Sequence, residues 1–158
     1  MKTFTLKSLA GSLSVIMLTS VLLSFTKNPG GDSFTIYLND KLLVQQYVHM
    51  KEKTKTISLH QATANDVLRI HYSHCGKMGI SRNLFIKDSE NKIVKTWKFE
   101  DSADGDKGSM TVRAGELADV QKRNAGKKLS LVYTAEQLPD GITLAMITTS
   151  GNAEASIR

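Results

Sequence analysis

The residues best equipped for chemistry sit close together, in His71-x-x-His74-Cys75. Imidazole and thiolate are ligands suited to copper or zinc, and His49 and His60 are the remaining histidines that could join them. Structural zinc ordinarily draws on paired Cys/His motifs, whereas this chain has one cysteine. His71 and His74 lie an odd number of residues apart, so on a continuous strand they would point to opposite faces. They converge only if the chain turns at 73–76, which Gly76 permits. The plainer expectation is that His71 is a solvated strand residue, His74 a loop residue and Cys75 a small buried apolar group. A histidine beside a cysteine also raises the chemistry of a thiol nucleophile, which needs a base or a positive partner. Adjacent residues of an extended chain point apart, and no orienting carboxylate can be assigned. A small hydrolase is therefore the weakest of the three readings.

Other candidate residues carry less chemistry. Asp101, Asp104 and Asp106 stand near Gly105 and Gly108, but counting from Asp104 puts glycine at positions 5 and 12, where a calcium-binding EF-hand loop wants an oxygen ligand and a glutamate. Trp97 could offer a stacking platform, yet it shares a strand face with Ile93 and Phe99 and is expected in the core. Tyr37, Tyr47 and Phe85 lie opposite the apolar faces of their strands, so they are the candidate ligand-binding residues if they cluster on the surface. Aromatic residues make up only 6% of the chain, which is thin for a carbohydrate-binding surface. No glycine-rich phosphate loop follows a strand, and no Gly-x-Ser-x-Gly elbow occurs.

The elements that must position these residues read as strands. In residues 67–99, Leu68, Ile70 and Tyr72 alternate with Arg69, His71 and Ser73. A second run sets Ile80, Arg82, Leu84 and Ile86 against Ser81, Asn83, Phe85 and Lys87, and a third sets Ile93, Lys95, Trp97 and Phe99 against Val94, Thr96 and Lys98. Period-two alternation gives each run one apolar and one polar face. Residues 88–92 form a hairpin loop between the second and third runs, and the whole reads as a three-stranded meander. Upstream, residues 34–38 and 42–47 flank Asn39-Asp40 as a hairpin, and residues 54–59 form a short strand. Downstream come a loop at 100–109, a brief strand at 110–113 and a helix over 114–124. That helix carries acid early, base late and Gly126 beyond its end. A strand at 129–134, a turn at 136–141 around Pro139-Asp140-Gly141, and a last strand at 142–147 complete the chain.

About eight short strands with one short helix predict a mainly β fold, a β-sandwich of immunoglobulin-like or jelly-roll type. A closed barrel is the alternative.

The N-terminus predicts export. Lys2 and Lys7 precede an apolar run from Leu9 to Leu23, followed by Ser24-Phe25-Thr26 with small residues where a signal peptidase reads. The run is shorter than the ~20 residues a spanning helix needs. The expected organisation is a signal peptide at 1–26, a flexible leader at 27–32, the sandwich at 33–150 and a disordered tail at 151–158. A retained N-terminal anchor is the alternative to cleavage.

Two of the six net positive charges belong to the signal, and the remainder is scattered rather than gathered into the basic face that nucleic acid would require. A lone cysteine excludes an internal disulfide, so apolar packing must hold the mature domain.

The export signal, the opening Gly30-Gly31-Asp32-Ser33-Phe34-Thr35-Ile36-Tyr37-Leu38-Asn39 and the turn Tyr72-Ser73-His74-Cys75-Gly76 resemble small uncharacterised exported proteins of Bacteroidota-type bacteria. The resemblance implies an envelope β-sandwich, periplasmic or at the cell surface, and carries over no functional residue. The expected function is a non-enzymatic binding module for an envelope protein or ligand, without cofactor. Copper or zinc held by His71, His74 and Cys75 is the alternative.

Overall fold

The computed structural model describes residues 31–50, 52–102 and 108–148. The signal peptide, residues 27–30 of the leader, Asp104, Asp106 and the tail lie outside them.

The alternating runs form nine strands among the described residues: β1 (Ser33–Leu38), β2 (Lys41–Tyr47), β3 (Thr56–Ser58), β4 (Val67–Ser73), β5 (Arg82–Lys87), β6 (Ile93–Phe99), β7 (Met110–Arg113), β8 (Leu129–Ala135) and β9 (Leu138–Thr148). They make two sheets, ordered β2-β1-β4-β7 and β3-β9-β8-β5-β6. Every pairing is antiparallel except β3 with β9. Phe34, Ile36, Val44, Leu68 and Ile70 of the first sheet share one apolar core with Leu84, Ile86, Leu129, Leu131 and Leu144 of the second. The fold is thus mainly β, a β-sandwich, as the periodicity predicts.

Among the described residues one α-helix, α1 (Ala114–Arg123), follows β7 directly, and buries Ala114, Leu117 and Val120. Glu116 lies in its first turn and Lys122 and Arg123 in its last, each matching the sign of the helix dipole.

Two expectations about the chain path change. The meander predicted over 67–99 is split: β4 belongs to one sheet, and β5 and β6 to the other. Alternation says which face of a strand is buried but not which sheet it joins, because both sheets bury one face against the same core. The turn predicted at 136–141 is also shorter. Ala135 pairs with Leu138, and the register then slips so that Tyr133 faces Ile142. Pro139, Asp140 and Gly141 therefore lie inside β9. Gly141 has φ +72°, the left-handed backbone that serves a bulge as well as a turn.

Trp97 is half-buried rather than enclosed. It faces inward, opposite Leu84, but β6 is the outermost strand of its sheet. The indole therefore reaches α1, where its N–H donates to Glu116 Oε2 at 3.0 Å.

Candidate functional site

The segment from β4 to β5 crosses between the sheets and contributes His74 to a buried polar cluster. His74 pairs with Lys77 across a two-residue turn whose central residues, Cys75 and Gly76, have φ of +55° and +81°. Positive φ at both positions is the mark of the tightest hairpin turns, and glycine at the second lowers the cost. Gly79 then packs so closely that a Cβ there would lie 2.7 Å from Arg82 Cδ and 3.2 Å from His74 Cδ2.

The side chain of His74 turns inward and is 3% exposed. Its Nε2 is 2.9 Å from the hydroxyl of Tyr133 on β8, and its Nδ1 is 3.5 Å from Asp32 Oδ2. The same carboxylate oxygen accepts a hydrogen bond from the Tyr72 hydroxyl at 3.1 Å. The rings of Tyr72 and Tyr133 stack at 4.3 Å, and the Phe34 ring lies parallel to Tyr72 at 6.4 Å. One short chain of groups therefore joins the two sheets: Asp32 before β1, Tyr72 on β4, His74 at the crossover and Tyr133 on β8.

Burial raises the Tyr72 phenol above its ordinary range, and the neighbouring Asp32 charge pushes it the same way. Burial likewise pushes Tyr133 up to about 12, against the opposing pull of the Arg82 guanidinium. Arg82 is itself buried, and ties both ends of the 100–108 loop. It donates to the carbonyl of Glu100 from Nε and Nη2, at 2.7 and 2.5 Å, and to that of Gly108 from Nη1 at 2.5 Å. Histidine between a carboxylate and a phenol is a proton-relay arrangement, but Tyr133 is wholly buried. The network satisfies polar groups within the core and links the two sheets.

The same cluster leads into an open cleft. Phe34, which stacks on Tyr72, lines a cavity of about 210 Å³ together with Gln46, Tyr47, Val48, Met50 and Ile142. Glu52, Thr54 and Thr143 complete it. The cleft lies where the 48–55 connection leaves β2, and β9 supplies the opposite wall. Tyr47 and Met50 remain 46% and 49% exposed, so the apolar lining continues onto the surface.

The residues expected to bind a metal separate. His71 is on the outer face of β4, where its ring meets Tyr37 edge-on at 5.9 Å. His74 points into the core, and Cys75 is exposed at the turn rather than a buried apolar group. Among the described residues no three His, Cys, Asp or Glu side chains are grouped to hold a metal ion. Three-residue spacing across the end of a strand keeps the two histidines on opposite faces, and the turn comes one residue too late to reunite them.

The three candidate ligand-binding aromatics also separate. Tyr37 stands beside His71 on the four-stranded sheet. Phe85 is half-buried on the five-stranded sheet, on the face opposite Leu84 and Ile86. Tyr47 alone lines the cleft.

Sequence reasoning missed Asp32 and the inward turn of His74. Asp32, expected in the leader, has its carbonyl fixed by the Val48 N–H at 2.8 Å and its carboxylate fixed by Tyr72. The signal for His74 was parity, since it continues the even-numbered inward series Leu68, Ile70 and Tyr72.

No family model matches this chain, and no curated protein is significantly similar to it. Among the described residues no helix is long and apolar enough to cross a membrane.

Proposed function

We propose that the protein is exported to the bacterial envelope and acts there as a non-enzymatic binding module, gripping its partner at the cleft between β2 and residues 142–143 of β9. The observation that carries this reading is the cleft of about 210 Å³ whose apolar lining runs out onto exposed Tyr47 and Met50. Concave apolar surface with a few polar groups, here Gln46, Glu52, Thr54 and Thr143, is the usual character of a recognition site, and contiguous exposed apolar surface marks an interaction patch. The buried His74–Tyr133 network supports the same reading, because it stiffens the floor of the cleft through Phe34 and Tyr72. A stiff site loses less entropy on binding.

Two equally exposed apolar residues supply the test. Met50 lies at the cleft and Ile93 on β6, both 49% exposed. A photo-crosslinking amino acid placed at each position in cells should give a discrete adduct at 50 and none at 93. Equal labelling at both, or none at 50, would remove the cleft as the binding site. N-terminal sequencing of the exported form checks the compartment, with Lys27 the expected first residue.

A further inference from the structure

We infer that the partner joins this edge as an added β-strand, an extended segment of a different polypeptide with apolar residues at alternate positions. This rests on the reading of the cleft as the binding site, and specifies how the site is filled.

Among the described residues β2 is the outermost strand of its sheet, paired with β1 on one side. The Val48 N–H donates to the Asp32 carbonyl at 2.8 Å. Because hydrogen-bonded and non-bonded pairs alternate along an antiparallel ladder, Gln46 and Val44 also bond toward β1, opposite Phe34 and Ile36. The backbone groups of Gln45 and Tyr47 are then directed outward. The Tyr47 carbonyl accepts from the Met50 N–H at 3.2 Å, which leaves Gln45 as the centre of the outward-facing edge.

Exposed edges are normally guarded by charge, proline or a bulge that turns the edge away. From Val44 to Tyr47 there is no charged residue and no proline, and the one bulge in the ladder, where Leu43 is the extra residue of β2, comes before this stretch. The cleft opens beside this unguarded stretch. A strand laid about 4.8 Å from β2 would bond to Gln45 and turn every second side chain into the cleft, between Gln46 on one wall and Ile142 on the other.

The cleft also decides against a second copy of β2 as the occupant. Val44 and Gln46 are buried in their own core, so a pairing of β2 with β2 would extend the sheet and leave the cleft unfilled. The incoming segment must bring side chains of its own. Among the described residues Glu52 is the one charged group in the lining, which favours a neutral or mildly basic segment.

The test uses the full exported chain as bait and, as probe, a displayed library of random peptides of about nine residues, enough to span one strand. Three results are expected. Selected peptides carry apolar residues at alternate positions. The Gln45 amide of the unaltered protein exchanges more slowly when a selected peptide is bound. Gln45→Pro, which removes one N–H at an edge position where proline is tolerated, weakens binding by about tenfold, one hydrogen bond's worth, whereas Gln45→Ala does not. If selected peptides bind Gln45→Pro undiminished and leave Gln45 exchange unchanged, yet fail to bind Ile142→Trp, the cleft stands as the site and strand addition is overturned. If no peptide is enriched on the unaltered chain relative to Ile142→Trp, the cleft itself is overturned.

Discussion

The two edges of this sandwich meet the same problem and answer it differently. A pair of stacked sheets leaves its outer strands with apolar surface between them and backbone groups beside them. At one edge α1 closes the gap. It buries Leu117 and Val120 against the core, and Glu116 reaches across to β6, accepting from the Trp97 indole at 3.0 Å and pairing with Lys95 at 3.2 Å. At the other edge β2 and β3 are the outer strands, no helix covers them among the described residues, and Tyr47 and Met50 stand exposed around the cleft between β2 and β9. One edge is closed by the chain's own helix, and the other carries the cleft where we propose that a partner binds. The contrast underlies the proposed site, and it makes the two edges separable by mutation.

The largest effect is expected at the closed edge. Leu117 is 1% exposed, and Leu117→Ala should cost about 2–5 kcal/mol through lost burial and the cavity left behind. Denaturant unfolding measures this directly. Half-buried Ile142 at the open edge should cost distinctly less when cut to alanine, because the site is already open to water. Equal losses would mean that the two edges are equally part of the core.

The junction between the sheets comes next. Tyr133→Phe removes the hydroxyl that partners His74 Nε2 and should cost about 1–3 kcal/mol, the usual consequence of stranding a buried polar atom. The same phenols set an alkaline limit. Burial favours the neutral form, so the folded state resists ionising Tyr72 and Tyr133. Their contribution is complete below the ordinary tyrosine value of about 10 and is lost as pH rises through about 12, where Tyr133 ionises when folded. Urea midpoints should therefore fall steeply above about pH 10, and less steeply in Tyr133→Phe. Parallel curves would show that this phenol does not oppose unfolding.

A smaller effect tests the clasp of α1. The Trp97 indole, and then Lys95, hold the Glu116 carboxyl below its usual range. A depressed carboxyl stabilises above its ordinary value of about 4.3 and loses that contribution as pH falls through the lower folded value. Glu116→Gln should thus be less stable than the parent at about pH 7 and converge with it at about pH 3. A difference that stays constant with pH would mean that shape, not charge, holds the helix against β6.

How much of this was legible in the sequence follows from what alternation encodes. Leu68, Ile70 and Tyr72 announced their inward face, and so did Leu129, Leu131 and Tyr133, because side-chain period depends only on the backbone. The sheet each strand joins depends on contacts distant in sequence, so the split between β4 and β5 was hidden. The helix was visible because caps and charges act within a turn of its ends. The site was less legible. His74 was marked by parity, but Asp32 acquires its role only when β1 and β4 pair and bring it to Tyr72. Tyr47 was marked as an outward aromatic, yet nothing local said that β9 would stand opposite it while Phe85 went to the other sheet.

The smallest effect on stability is the sharpest test of the comparison. Tyr47 is nearly half exposed and its phenol is used by no other part of the core network, so Tyr47→Ala should change unfolding free energy by no more than about 0.5 kcal/mol. Its consequence for binding should be far larger. An aromatic at the mouth of an apolar cleft is the kind of residue that anchors an interface, and truncating such an anchor costs about 2 kcal/mol or more, roughly thirtyfold in affinity. Titrating peptides selected on the parent protein against both forms measures the two quantities on one sample. A stability loss as large as that of Leu117→Ala would place Tyr47 in the core and make the open edge structural. Unchanged stability with unchanged affinity would move the partner elsewhere on the surface. Only stability kept and binding lost fits an edge that is built, stiffened from beneath by Phe34 and Tyr72, and left for another chain to complete.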